Sequence, residues 1–460
     1  MKFIYQLIFI LIPLMGFAQP NYHWHHLNQG NSLGNPQIGI LNGIVIDSSS
    51  NKLITYGAFD NNSTICHIAE WDGQQSWSQY GTYIQFDSFT SEIFTALFHH
   101  DTLFLGVHSG SDNCPVSRPE PGLIYFNGSQ ICNVNGGFCR TTAGGNFVYS
   151  LLNFEDTLYA AGNFRGANCM NFIGDTTNLI AKYNGNEFVS IGTGINNGVS
   201  GVFTAGRIHK LYEANSNIIL VGVFDFVGSQ QQSNIAVTDG ENWLPITEFP
   251  WVILDVIQWN NDLYILSDAL YKLVGNTWIQ VAQFSNGANP GFVESMEIFN
   301  GELVVGGGFT SVNGFPANSI AKYDGVTWDN MDGGTISAFK QVKDLLSWNG
   351  SLYACGRFDQ MGTVQANKIA RWGLTTSITE AEKLVVLKVL TNPCHEQIKI
   401  SLGPTSTPLA FELLDVSGRF ILKGNFNSGT NEINIDGLSA GVYIIHQKQK
   451  KFKPVRVLVY

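Results

Sequence analysis

LYAAGNF (158–164), IILVGVF (218–224), LVVGGGF (303–309) and LYACGRF (352–358) are copies of one short strand, and they set the architecture of the chain. LITYGAF (53–59) matches them, LFLGVHS (103–109) is a degenerate copy, and LYILSDA (263–269) keeps the strand without the glycine. Anchored on Gly57, Gly106, Gly162, Gly222, Ser267, Gly307 and Gly356, the copies are 49, 56, 60, 45, 40 and 49 residues apart. A self-similar period of this length marks an array of small supersecondary units.

Each unit has one internal order. An alternating apolar run comes first, as in VESMEIF (293–299) or VKDLLSW (342–348), followed by a turn such as Asn300-Gly301 or Asn349-Gly350. Asn-Gly accepts positive φ cheaply and favours a two-residue hairpin. The LYxxGxF strand follows, then a variable loop. A third strand then ends in a turn pair: IAEWDG (68–73), IAKYNG (180–185), IAVTDG (235–240), IAKYDG (320–325). The fourth strand opens on an aromatic residue: Trp77, Phe188, Trp243, Trp278 or Trp328. Four antiparallel strands make one blade, and a blade buries both faces only when blades stack around an axis. The expected fold is all-β, a seven-bladed β-propeller followed by a C-terminal β-sandwich. The last unit, ending IARWG (369–373), lacks its aromatic fourth strand. Trp24-x-x-Leu27-x-x-Gly30 has the form of Trp328 to Gly334, so the start of the mature chain is expected to supply it and close the ring.

The composition suits this reading. Charged residues are 13% of the chain, about half the usual share of roughly 25%, while glycine reaches 49 residues and aromatics 12%. The net charge of −11 is uneven. Residues 19–373 carry 14 Lys/Arg against 29 Asp/Glu, or −15, and residues 384–460 carry 9 against 5, or +4. An acidic body argues against nucleic acid as a partner, which requires clustered cations. Lys2 followed by the apolar run Phe3–Phe17, with Gly16 and Ala18 at the −3 and −1 positions, reads as a signal peptide (1–18) cleaved between Ala18 and Gln19. Export places the seven cysteines in an oxidising compartment. Cys114, Cys132, Cys139 and Cys169 cluster, and local order suggests Cys114–Cys132 and Cys139–Cys169, although four cysteines allow three connectivities.

The repeats of residues 22–373 resemble the Kelch and galactose-oxidase-like group of propellers in their Gly-x-Phe and Asp-Gly…Trp elements. After a polar linker (374–383), residues 384–460 resemble the C-terminal sorting domain of type IX secretion substrates. The motifs are Asn392-Pro393, Asp415 with Gly418-Arg419, Leu438, and Gly441 with Tyr443. The resemblance implies recognition by the outer-membrane type IX machinery, removal of the domain, and attachment of the cargo to a surface lipopolysaccharide.

No catalytic set stands out. The chain has no sialidase-type Asp box, no DxDxDG calcium loop and no Gly-x-Ser-x-Gly elbow. No cofactor and no metal site is expected. His23, His25 and His26 have no adjacent carboxylate or cysteine, and His99, His100 and His108 lie on another unit. Asp225, Asp268 and Asp359 sit in loops without forming an obvious pair. The long insertions 106–123 and 164–178 are the expected binding loops. Three functions fit: a surface binding or adhesion scaffold for a glycan or protein ligand, a secreted carbohydrate-active or other hydrolase with its carboxylates in the loops, or a surface-layer spacer.

Overall fold

The computed structural model describes residues 22–27, 39–61, 64–71, 77–80, 92–107, 122–126, 131–134, 137–139, 147–164, 166–170, 173–176, 179–191, 195–196, 206–228, 230–336, 340–374, 387–390, 394–402, 408–415, 419–446 and 455–459. Ala18, Gln19, Asn392, Pro393, Gly418, Cys114 and His108 fall outside them. The chain divides into two compact units, up to Leu374 and from Thr375 onward.

In the first unit, the described residues form six four-stranded antiparallel sheets and one of seven strands whose first four run in the same way, each following the order read from the repeat. Their innermost strands are Gly39–Asp47, Ile93–His99, Val148–Phe154, Arg207–Ala214, Asp255–Trp259, Phe292–Phe299 and Gln341–Trp348. Each packs against the next, and the last returns to the first, so the sheets close into the ring of a β-propeller. Seven apolar cores lie one between each pair of neighbours. Ile54 and Tyr56 meet Ile93 and Leu105 at the first junction, for example, and Tyr353 and Ile369 meet Leu41 and Leu53 at the last.

The repeat glycine has a steric cause. A Cβ on Gly162, Gly222, Gly307 or Gly356 would stand 1.9 to 2.3 Å from a backbone carbonyl oxygen at the start of the innermost strand. Two residues on, the aromatic ring enters the inter-sheet core: Phe164, Phe224, Phe309 and Phe358 are fully buried. The ring closes through the start of the chain. Tyr22–His26 pairs antiparallel with Ile369–Leu374, and Trp24 lies opposite Trp372. The buried Trp24 indole donates to the Met331 carbonyl at 2.7 Å, tying the seventh sheet to the sixth.

The segment read as a variable loop is regular instead. In the third, fourth, sixth and seventh sheets a short hairpin follows the LYxxGxF strand, for example Phe226–Val227 with Gln230–Gln231 and Ser311–Val312 with Phe315–Pro316. The chain leaving the preceding sheet's outer strand pairs with that hairpin: Phe138–Cys139, Ile195–Asn196, the end of Thr277–Asn286, and Thr335. The expected binding insertion 164–178 is one of these stitches between neighbouring sheets.

This geometry corrects the cysteine pairing. Cys132 is a free thiol, as are Cys355 and Cys394, so the Cys114–Cys132 bridge is not formed. Cys139 lies opposite Gly166, three residues from Cys169.

The second unit is a β-sandwich. A three-stranded sheet (Leu387–Val389, Gln397–Leu402, Gly429–Asn434) and a four-stranded one (Phe420–Phe426, Leu409–Asp415, Gly441–His446, Val455–Val459) enclose one core. Alternation decides which residues enter it: Ile398, Ile400 and Leu402 from one sheet, Leu409, Phe411 and Leu413 from the other. The rings of Phe411 and Phe426 stack at 4.0 Å.

Candidate functional site

The innermost strands bear the chemistry. In six of the seven, one residue bulges out of register at the same place: Asn42, Phe94, Tyr149, His209, Glu294 and Lys343. A bulge re-aims side chains and is enriched beside functional sites. These residues hold equivalent positions at the start of the innermost strands, toward the axis of the ring, and fall into two groups. On one side Phe94 packs edge-on against Phe147 and Tyr149, and Tyr149 stacks on His209 at 6.1 Å. On the other, Lys343 pairs with Glu294 at 3.1 Å, Gln341 donates to Glu294 at 2.6 Å, and Asn42 donates to Glu92 at 2.8 Å. Burial, with Arg207 nearby, lowers the His209 pKa to about 4, so the imidazole is neutral at physiological pH.

Just past the bulge the six bulged strands carry Gly43, Thr95, Ser150, Lys210, Ser295 and Asp344, and the regular fifth strand begins on Asp255. Several of these latch one sheet to the next. Ser150 accepts from the Leu211 amide at 2.9 Å, Asp255 from Met296 at 2.7 Å, and Asp344 from Ile44 at 2.9 Å. Gly43 has no side chain, and the Tyr56 hydroxyl occupies the place of its Cβ and hydrogen-bonds the Ala96 backbone. Lys210 instead pairs with Asp255 at 3.7 Å.

Three carboxylates and one ammonium therefore converge on the axis. Lys210, on the fourth sheet, feels the charge of Asp344 on the seventh and Glu297 on the sixth as well as that of Asp255, which holds it protonated. Its side chain keeps 42% of its exposure and Asp255 keeps 4%, so the lysine faces the axial space while the aspartate lies in the wall. Burial pushes the Glu297 carboxyl up to about 7, with Asp344 adding to the rise, and pushes Asp344 up to about 6. Asp255 also rises through burial, against the pull of Lys210. Among the described residues no group of His, Cys, Asp and Glu has the geometry to hold a metal ion.

The histidines singled out in the sequence are dispersed. His23 pairs with Asp332 of the sixth sheet at 2.9 Å, and His25 donates to Gly373 at 3.3 Å, its pKa lowered by burial and by Arg371. His99 and His100 bond Asn153 and Asp156 of the next sheet. Asp268 accepts from the Tyr271 hydroxyl. The axial residues were missed because their shared signal, a polar residue inside an apolar strand, differs in type from repeat to repeat.

The second unit gathers its motifs. Asp415 lies directly opposite Tyr443 in the sheet, and its carboxylate accepts from the Arg419 amide at 3.0 Å across the turn. The Tyr443 hydroxyl donates to Ser439 at 2.8 Å, and the Leu438 amide bonds Ile435, folding the turn that precedes Gly441.

Residues 388–459 match the family of secretion system C-terminal sorting domains. The second unit is a sorting domain of the type IX secretion system, and it directs the chain to the cell surface or extracellular space. Comparison with curated proteins returns no significant match. Similar solved structures include PorZ, an essential bacterial surface component of the type-IX secretion system of Porphyromonas gingivalis, at 14% identity and a TM-score of 0.44 over 94% of this chain. BamB from Moraxella catarrhalis is 11% identical with a TM-score of 0.39, covering 73% of this chain and 84% of that one. The computationally designed Ika8 protein is 9% identical with a TM-score of 0.39, covering 75% of this chain and all of that one. The chain spans 60% of the length of PorZ.

Proposed function

We propose that the mature chain is a non-enzymatic binding scaffold at the cell surface, a seven-bladed propeller of residues 19–373 that engages an extracellular glycan or protein at its axial mouth. Cleavage after Ala18 would start the mature chain, 374–383 would be the linker, and residues 384–460 would be read by the outer-membrane type IX machinery. Removal of the sorting domain and attachment to a surface lipopolysaccharide would complete display. The observation that carries the reading is the split ring of bulged residues, half aromatic and half polar, held on a rigid ring. Aromatic and convergent polar groups in a preformed concavity are the usual make-up of a binding site.

The raised Glu297 and Asp344 carboxyls are the feature a hydrolase would share. Against that reading, Asp255 and Asp344 are engaged as amide latches between sheets, Glu294 is paired with Lys343, and Glu297 is hydrogen-bonded by Ser347. A glycosidase needs two carboxyl groups facing one substrate. The mature protein, tested on a glycan array and a hydrolase panel, should show binding without turnover, and Tyr149→Ala should weaken that binding. Turnover abolished by Glu297→Gln would establish the hydrolase instead.

A further inference from the structure

A second concavity lies away from the axis. Between the sixth sheet and the closing strand is a groove of about 690 Å³, within the ~300–1,000 Å³ range of small-ligand sites. Its apolar wall is the half-buried Tyr22 ring, which lies nearly parallel to Trp372 at 6.5 Å and edge-on to Phe299 at 5.6 Å. Its polar wall comes from the sixth sheet. Lys322 is held by Glu302 at 2.8 Å, and His23 bridges to Asp332. Asp329 spends one oxygen on the Met331 amide at 2.7 Å. Its other oxygen and the exposed Asn300 amide have no hydrogen-bond partner among the described residues.

We infer that this groove binds a short oligosaccharide that carries no acidic groups. A flat ring beside free carboxylate and amide groups suits a sugar, with its apolar ring face and its array of hydroxyl donors and acceptors. The lining holds three carboxylates against one lysine, so a sulfated or uronic glycan would be repelled. The inference goes beyond the axial mouth and needs only that the propeller be a binding scaffold.

The test uses the mature full chain on an array of neutral, amine-bearing, uronic and sulfated oligosaccharides, followed by calorimetric titration of the best binder. A neutral or amine-bearing glycan should bind, and Tyr22→Ala and Asp329→Asn should each weaken it about tenfold, the loss of one good polar or stacking contact. Asp329→Asn keeps the acceptor for Met331 at an exposed site, so it decides the matter if Tyr22→Ala loosens the ring closure. The glycan titrated is one whose binding persists in Tyr149→Ala, so that ligands of the axial mouth are set aside. The inference fails if only acidic glycans bind, if no glycan binds, or if every neutral or amine-bearing binder is lost with Tyr149→Ala and none weakens with Asp329→Asn. In that last case the scaffold reading survives with the axial mouth as its only site.

Discussion

A single atom explains why Gly222 recurs as glycine in unit after unit. The Cβ of Gly222→Ala would meet the Arg207 carbonyl oxygen at 2.1 Å, with backbone that cannot swing aside as a side chain could. The substitution should cost about 1–3 kcal/mol, the usual penalty for overpacking, and lower the melting temperature. Gly275→Ala, which meets nothing within 4 Å but has φ of +60°, separates backbone strain from crowding. The axial carboxyls make a second prediction. In the folded chain Glu297 keeps its proton to about pH 7 and Asp344 to about pH 6, whereas unfolded carboxyls ionise near pH ~4. Between about pH 4 and 7 these two carboxyls therefore bind more protons in the folded chain than in the unfolded one, and their contribution to stability falls as pH rises. Glu297→Gln removes its share of that slope. The variant should be more stable than the parent at pH 8 by on the order of 1 kcal/mol, with a flatter pH profile in chemical denaturation.

At the scale of the element, the closing strand is where sequence and structure agree most closely. Tyr22–His26 lies in register on Ile369–Leu374 as the missing aromatic strand required, with Trp24 buried against Trp372 at 5.1 Å. Trp24→Ala should cost about 3–5 kcal/mol, and deletion of residues 19–31 should expose the third strand of the seventh sheet and destabilise the ring. Thermal unfolding of the mature chain checks both, and unchanged melting of the deletion would refute closure by this strand. The strands were legible because their turns and alternation repeat. The stitching hairpins were not, although FVGSQQQSN (226–234), SVNGFPANS (311–319) and QMGTVQANK (360–368) share a turn and end on a left-handed residue, Asn234, Ser319 or Lys368. Their strands are two residues long, too short for alternation to register. The Cys114–Cys132 pairing failed for a related reason: spacing along the chain says nothing of where a strand carries the side chain, and Cys132 stays a free thiol.

On the scale of the whole molecule, two units have opposite charge and separate cores, and the second carries the address. The sorting motifs were readable because they sit in turns whose geometry their residues dictate, as Asp415 and Tyr443 show. The axial site was not, because a ring side by side in space is spread over some three hundred residues of chain, from Asn42 to Asp344. The propeller needs no strand from the sorting domain, since its seventh sheet is completed by Tyr22–His26. The central claim is therefore tested by a chain that runs from residue 1 and ends at Gly373, followed by cell fractionation and thermal unfolding. The account predicts a cooperatively folded protein that stays in the periplasm while the full chain reaches the surface. A truncated chain that appears on the surface at the normal level, or one that does not fold, would contradict it.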